Sequence, residues 1–295
     1  MSKKITKVGF IGLGVMGSPM SKNIAVSREF DLTLFDMNFE QATKHAQEIG
    51  AVAVADAEGL AECDIIVLML PTSAIVRDVL LDESGQPRIP ARTGTVFVDM
   101  SSSDPTETRE TGAELEAAGY IMIDAPVSGA KERAESGTLT IMLGANDEQG
   151  AQRAIPVINT MSSGIFRTGS LGTGHAMKAL NNAVAAAAFA ASAEALIAGQ
   201  RFGLELGVMV DVFNASTGQS FPTTHVLPEH IVNGKFASGF ALPLFTKDVR
   251  IAQKVQQAVG HEAPVCDAVT RQMGAAMDAL GNVDHTRAFE FWREQ

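Results

Sequence analysis

Cysteine is nearly absent: the 295 residues contain two, Cys63 and Cys266, with neither the dense, even spacing of a disulfide framework nor the paired spacing of a zinc site. Both are expected as free thiols in a reducing, cytoplasmic setting. The six histidines are scattered without an HExxH pattern, so no metal is expected, and His225 and His285 read as surface or hydrogen-bonded core residues. Positive charge is also short, 23 Lys and Arg against 34 Asp and Glu, for a net charge of -11. That balance lacks the basic face a phosphate backbone needs and argues against nucleic acid as a partner. Long apolar runs are scarce as well. The longest, Ala183 to Ala191, is cut by Ser192 and Glu194 and falls short of the roughly 20 residues needed to cross a bilayer. The start, MSKKITKVGFIGLG, carries lysines but has a short, glycine-broken apolar run, which fits a strand better than a secretory signal. The expectation is a soluble protein without a membrane partner.

What is present begins with glycine. Val8 to Ile11 is a short apolar run that ends in Gly12-Leu13-Gly14-Val15-Met16-Gly17, after which Met20, Ile24 and Ala25 continue with helical spacing. In a strand, tight turn and helix of this kind, the first glycine permits the turn and the second lets a pyrophosphate approach the backbone. The third lets helix and strand pack closely, and the phosphates rest on the helix N-terminus. A second run, Leu32 to Phe35, ends in Asp36, nineteen residues beyond Gly17, where an acid would accept hydrogen bonds from the adenosine ribose. Met37 and Asn38 follow, with no adjacent arginine for a ribose phosphate, so NAD is favoured over NADP. A glycine turn in another doubly wound fold, such as a methyltransferase, remains an alternative.

Strand and helix patterns continue to alternate: a helix from Phe39 to Ile49, strands at Ala51 to Val54, Asp64 to Leu70 and Thr95 to Asp99, and a helix from Thr106 to Ala118. Turns leading from strand to helix emerge at the carboxyl edge of a parallel sheet, where ligands bind, so Leu70, Pro71 and Ser102 are expected near the cofactor. After Ile121 to Asp124 the turn APVSGA offers Ser128 and the backbone N–H groups of Gly129 and Ala130 as a small nest for a carboxylate. A plain loop would use the same residues. Thr138 to Leu143 and Gly164 to Thr168 complete the strand-bearing part.

From Thr168 to Gly203 the chain reads TGSLGTGHAMKALNNAVAAAAFAASAEALIAGQRFG, a glycine-punctuated turn opening a helix of nearly thirty residues. Thr173 is a candidate N-cap. A helix that long spans roughly 40 Å, more than a small domain, so it is expected to link two domains. Lys178 and Asn182 stand four residues apart and share a face. The helix N-terminus and the apolar neighbours both disfavour the ammonium form, which suits a lysine that donates and accepts protons near neutral pH. A lysine snorkelling to solvent is the plainer alternative. Beyond Gly203 the patterns are helical: Leu206 to Asn214, Val226 to Ile231, Leu244 to Val259, and Pro264 to Leu280. The division expected is a doubly wound α/β domain over residues 1–168 and an all-α domain over 169–295 that serves substrate binding and oligomerisation.

Four stretches together, GFIGLGVMGSPMSKN, DAPVSGAKERAESGTLTIMLG, GTGHAMKALNN and FTKDVRIA, resemble the β-hydroxyacid dehydrogenase family, in its order and over nearly the whole chain. The resemblance implies a Rossmann-type NAD domain joined to an α domain through the long helix. It implies Lys178 as the catalytic lysine and Asn182 as its supporting asparagine, with Ser128, Gly129 and Ala130 on the substrate-binding motif. Lys247 falls on a late lysine that meets substrate and cofactor, and Ser102 on a cofactor-contacting residue. The implied reaction is hydride transfer between nicotinamide and a small 3-hydroxy acid or its semialdehyde, in a homodimer or homotetramer. Two positions depart from the family pattern: Ala130 replaces the usual second glycine, and His175 stands where several members have Gln or Asn, both near the expected pocket. An oxidative decarboxylase like 6-phosphogluconate dehydrogenase and a catalytically silent NAD-binding protein are the rival readings.

Overall fold

The computed structural model describes residues 5–295; the first four residues of the stretch MSKKITKVGFIGLG lie outside the described residues. The chain forms two compact units that divide at Lys178/Ala179. Unit 1 alternates strand and helix: β1 (Thr6–Ile11), α1 (Gly17–Ser27), β2 (Phe30–Phe35), α2 (Phe39–Ile49), β3 (Val52–Ala53), β4 (Ile65–Leu68), α3 (Ser73–Leu80), β5 (Val96–Asp99), α4 (Pro105–Ala117) and β6 (Ile121–Asp124). Then come β7 (Val127–Ser128), α5 (Ala130–Glu135), β8 (Leu139–Ala145), α6 (Glu148–Asn159) and β9 (Ser162–Gly169). The first six strands are parallel in the order β3-β2-β1-β4-β5-β6, the doubly wound arrangement whose ligands lie beyond the carboxyl ends of the strands. β8 runs antiparallel to β6 and β7 and pairs in parallel with β9. Central strands such as Ile65–Leu68 and Val96–Asp99 are buried throughout, as a sheet covered on both faces requires.

Short-range signals set most boundaries. Asn38, Thr72, Asp104 and Asp147 each accept a backbone N–H at the start of the helix that follows. The turn after Asp124 holds the short strand β7, and the charged stretch 131–135 is the body of α5. A single 3₁₀ turn, Ala57–Leu60, precedes β4.

The long helix α7 (Thr173–Phe202) continues from unit 1 into unit 2, which adds α8 (Leu206–Ala215), α9 (Leu242–Ala258), α10 (Pro264–Leu280) and α11 (Ala288–Arg293). Between α8 and α9 lies a π-type helix, Pro222–Val232, longer than the pattern at Val226 to Ile231 indicated. Unit 2 has its own core: Ala186, Phe189, Ala193 and Leu196 of α7 pack with Leu227, Leu242, Val249, Met273 and Phe289. By length and composition α7 could cross a membrane, contrary to the reading of its apolar tract as too short. One side of it, with Ala186, Phe189, Ala193 and Leu196, lies in the core of unit 2, where alanine lets neighbouring helices approach closely, while Val184 and Phe202 are exposed.

Candidate active site

The glycine loop leaves β1 at its carboxyl end. Gly12 has φ +96°, and a Cβ there would strike the Met69 carbonyl oxygen and come within 2.9 Å of Leu70 Cδ2. Only glycine fits that approach. A Cβ at Gly17 would collide with the Gly12 carbonyl oxygen, so α1 packs against the loop as the third glycine of such a turn allows, whereas a Cβ at Gly14 meets nothing within 4 Å. Gly14 thus faces open space. The start of α1 has no side-chain cap and no acidic residue in its first turn, which leaves its N–H groups suited to an anion. Asp36, just past β2, is tied to the same loop: Oδ2 accepts from Leu13 N at 2.7 Å and Oδ1 from Asn38 N at 2.9 Å. Val15 and Met37 are exposed beside it. Loop, helix end and carboxylate together fit the phosphates and ribose of a dinucleotide.

The remaining strand ends place other expected residues on the same edge of the sheet. Leu70 and Pro71 follow β4, and Leu70 N donates to Ser101 Oγ at 2.9 Å, which binds this turn to the one carrying Ser102. Ser102 is half-buried between the buried Ser101 and Ser103. Ser128 ends β7, paired with Thr140 of β8. Gly129 follows with φ +141° and caps α5, and Ala130 takes φ +54°, so it keeps a left-handed conformation that glycine adopts without cost. Ala130 is exposed and Gly129 half-buried.

The start of α7 is held differently from the sequence expectation. Thr173 is the first helical residue, and its hydroxyl donates back to Ser170 O at 2.7 Å rather than capping. The cap comes from β6: Asp124 Oδ1 accepts from Gly172 N and Oδ2 from His175 N, each at 2.7 Å. A carboxylate against a helix N-terminus is favourable. Burial nevertheless pushes the Asp124 carboxyl above its ordinary value, with His175 and the two N–H groups pulling it back. His175 is enclosed rather than lining an open pocket, its side chain 0% exposed. Lys178 lies one turn further along, half-buried.

In unit 2, Asn182 is buried and donates from Nδ2 to Asp248 Oδ2 at 2.7 Å. Lys247 Nζ is 3.4 Å from Asp248 Oδ1, an oxygen that is itself buried without a hydrogen bond. Asp248 is the residue that sequence reasoning passed over. Its signal was present, an acid beside Lys247 in a helical stretch, but nothing in the spacing names Asn182 as its partner.

Cys63 is buried, and burial foremost, with Asp64 adding to it, pushes its thiol up to about 11. It is an inert core thiol.

A family model described as the NAD binding domain of 6-phosphogluconate dehydrogenase matches residues 7–169. A second, described as the NAD-binding of NADP-dependent 3-hydroxyisobutyrate dehydrogenase, matches residues 172–292. The chain is 34% identical to 2-(hydroxymethyl)glutarate dehydrogenase of Eubacterium barkeri over 99% of this chain and 96% of that protein. It is 32% identical to mitochondrial 3-hydroxyisobutyrate dehydrogenase of Homo sapiens over 98% of this chain and 88% of that protein. A solved structure of Mycobacterium tuberculosis 3-hydroxyisobutyrate dehydrogenase with L-serine superposes with a TM-score of 0.86 at 32% identity, covering 98% of this chain and 99% of that one.

Proposed function

The chain belongs to the β-hydroxyacid dehydrogenase family, and from that premise we propose that it transfers a hydride between a small 3-hydroxy acid of the 3-hydroxyisobutyrate type, or its semialdehyde, and NAD. Asp36 supports NAD over NADP, since a carboxylate fixed by Leu13 N and Asn38 N meets ribose hydroxyls well and repels an added phosphate. Bound nicotinamide supplies the hydride chemistry. The chain's own residues orient the acid and move the proton.

On oxidation, Lys178 Nζ, as the neutral amine, would take the hydroxyl proton while the hydrogen on carbon leaves as hydride for the nicotinamide; on reduction the ammonium would return it. Asn182 keeps the substrate hydroxyl and the lysine in register. Ser128 Oγ with the N–H groups of Gly129 and Ala130 would anchor the carboxylate, Lys247 would add a cation for substrate and cofactor, and Leu70, Pro71 and Ser102 would hold the cofactor. Such positioning supplies a large share of catalysis. The observation that carries the reading is the clamped amide: Asn182, one turn beyond Lys178 on an unbroken helix, is buried and fixed by Asp248 rather than turned to solvent.

The test is Lys178→Met, which keeps stem volume and deletes the ionisable nitrogen. NAD should bind almost normally while single-turnover hydride transfer falls by about a hundredfold to ten-thousandfold. A variant that transfers hydride at the wild-type rate removes Lys178 from the chemistry. An oxidative decarboxylase is the second reading, because the first half of the chain matches a model of that description. Carbon dioxide release during turnover of a panel of small hydroxy acids would identify it.

A further inference from the structure

Two carboxylates end adjacent parallel strands, Asp99 on β5 and Asp124 on β6, and they stand opposite one another in the strand register. Both are fully buried. Each holds a different piece of chain. Asp99 straddles the turn that carries Ser102, Oδ1 accepting from Ser101 N and Oδ2 from Ser103 Oγ, both at 2.9 Å. Asp124 caps α7 through Gly172 N and His175 N.

The ring of His175 occupies the space between them. Nε2 lies 3.7 Å from Asp99 Oδ2, and Nδ1 lies 3.8 Å from Asp124 Oδ2. Its hydrogen bond goes to α4, where Nδ1 is 2.8 Å from Thr108 Oγ1. Thr108 donates its one hydroxyl hydrogen to the Asp104 carbonyl oxygen at 2.9 Å, so Nδ1 is the donor to Oγ1. Nε2 is buried with no hydrogen-bond partner, an arrangement less favourable than a well-packed apolar side chain. The junction has no slack. A Cβ at Gly174 would strike the Met142 carbonyl oxygen and come within 2.8 Å of Asp124 Oδ2, and one at Gly144 would strike Asp124 Oδ1. In packing this tight a shift on one side is passed to the other rather than absorbed.

We infer that His175 is a positioning residue: its ring couples the Ser101–Ser103 turn and α4 to the first turn of α7, and thereby sets Lys178 relative to Ser102. This rests on the roles proposed above for Lys178 and Ser102. The coupling lies wholly within unit 1 and needs no contact between His175 and substrate.

The experiment compares His175→Leu, His175→Asn and Thr108→Val. Asparagine places its Nδ2 where Nδ1 stands and keeps the donor to Thr108; leucine fills the volume and keeps nothing polar; valine at 108 removes the acceptor at constant shape. The readouts are amide hydrogen exchange at Ser101 and Gly172–Lys178, NAD titration, and turnover of the fastest acid in the panel. His175→Leu and Thr108→Val should speed exchange in both segments together and lower kcat by about tenfold to a hundredfold, the scale of a misplaced reacting group. KM and the NAD Kd should stay within about twofold of wild type, an effect confined to the chemical step. His175→Asn should recover most of both losses. Wild-type exchange and kcat in the leucine and valine variants would overturn the inference, and so would equal losses in the asparagine and leucine variants. Effects carried by KM or by NAD affinity alone would overturn it too. If His175→Leu does not fold, Thr108→Val and His175→Asn decide. Exchange reports the coupling without any chemistry, so an active Lys178→Met variant would sink the proton-transfer role and leave this result standing.

Discussion

Asn182 Nδ2 donates to Asp248 Oδ2 at 2.7 Å across 66 residues of sequence, and both side chains are buried in unit 2. The acid therefore fixes which way the amide faces, with its oxygen accepting from Asn181 Nδ2 at 3.3 Å and keeping a second lone pair. Asp248→Ala should release Asn182 and lower kcat by about tenfold to a hundredfold with a smaller change in KM, since the loss is one of orientation. Removing one partner of a buried bond should also cost about 1 to 3 kcal/mol of stability in urea unfolding. Normal kcat in a folded Asp248→Ala would end the positioning role of this pair.

Cofactor choice should follow Asp36. Met37 is 90% exposed, so an arginine there has room to reach a phosphate at the same spot. Asp36→Ser combined with Met37→Arg should raise the NADP to NAD ratio of kcat/KM by at least about tenfold, by replacing repulsion with a charge-assisted contact. Wild-type protein that already uses both cofactors equally would contradict the role given to Asp36.

Ala130 holds φ +54° without being glycine. Ala130→Gly should relieve that conformation and stabilise unit 1 by about 1 kcal/mol, net of the extra freedom glycine brings to the unfolded chain. In a unit of this size that is about 2 to 4 °C in Tm, readable by calorimetry. An unchanged or lowered Tm would show that the left-handed position carries no penalty.

His285 gives unit 2 a pH signature. Burial among Phe189, Phe240 and Phe245 holds its imidazole below the ordinary value, against the opposing pull of Asp284 and the Phe240 carbonyl. The unfolded chain takes up a proton near pH 6.5 that the folded chain declines, so this contribution is constant above about 6.5 and is lost as pH falls from there toward the folded value. Urea unfolding followed by Trp292, the single tryptophan and part of this core, should show lower midpoints at pH 5.5 than at 7.5. His285→Gln should flatten that difference; a variant with the wild-type pH slope would assign it elsewhere.

Local sequence suffices for the alternation of strand and helix in unit 1, the glycine turn with its acid nineteen residues on, and the shared face of Lys178 and Asn182. These are local properties. Backbone sterics, capping and helical pitch act over a few residues, so spacing alone reports them. Long-range packing sets the rest. Asp124, 48 residues before Gly172, caps α7 in place of Thr173, Asp248 claims Asn182, and His175 is enclosed between two strand-end acids instead of bordering a pocket. One side of the apolar run of α7 became part of the core of unit 2 because other helices pack on it, while Val184 in the same run stays exposed. Each of these depends on which distant side chains share a buried volume. That volume is set by packing the whole unit at once, and no pairwise spacing along the chain encodes it.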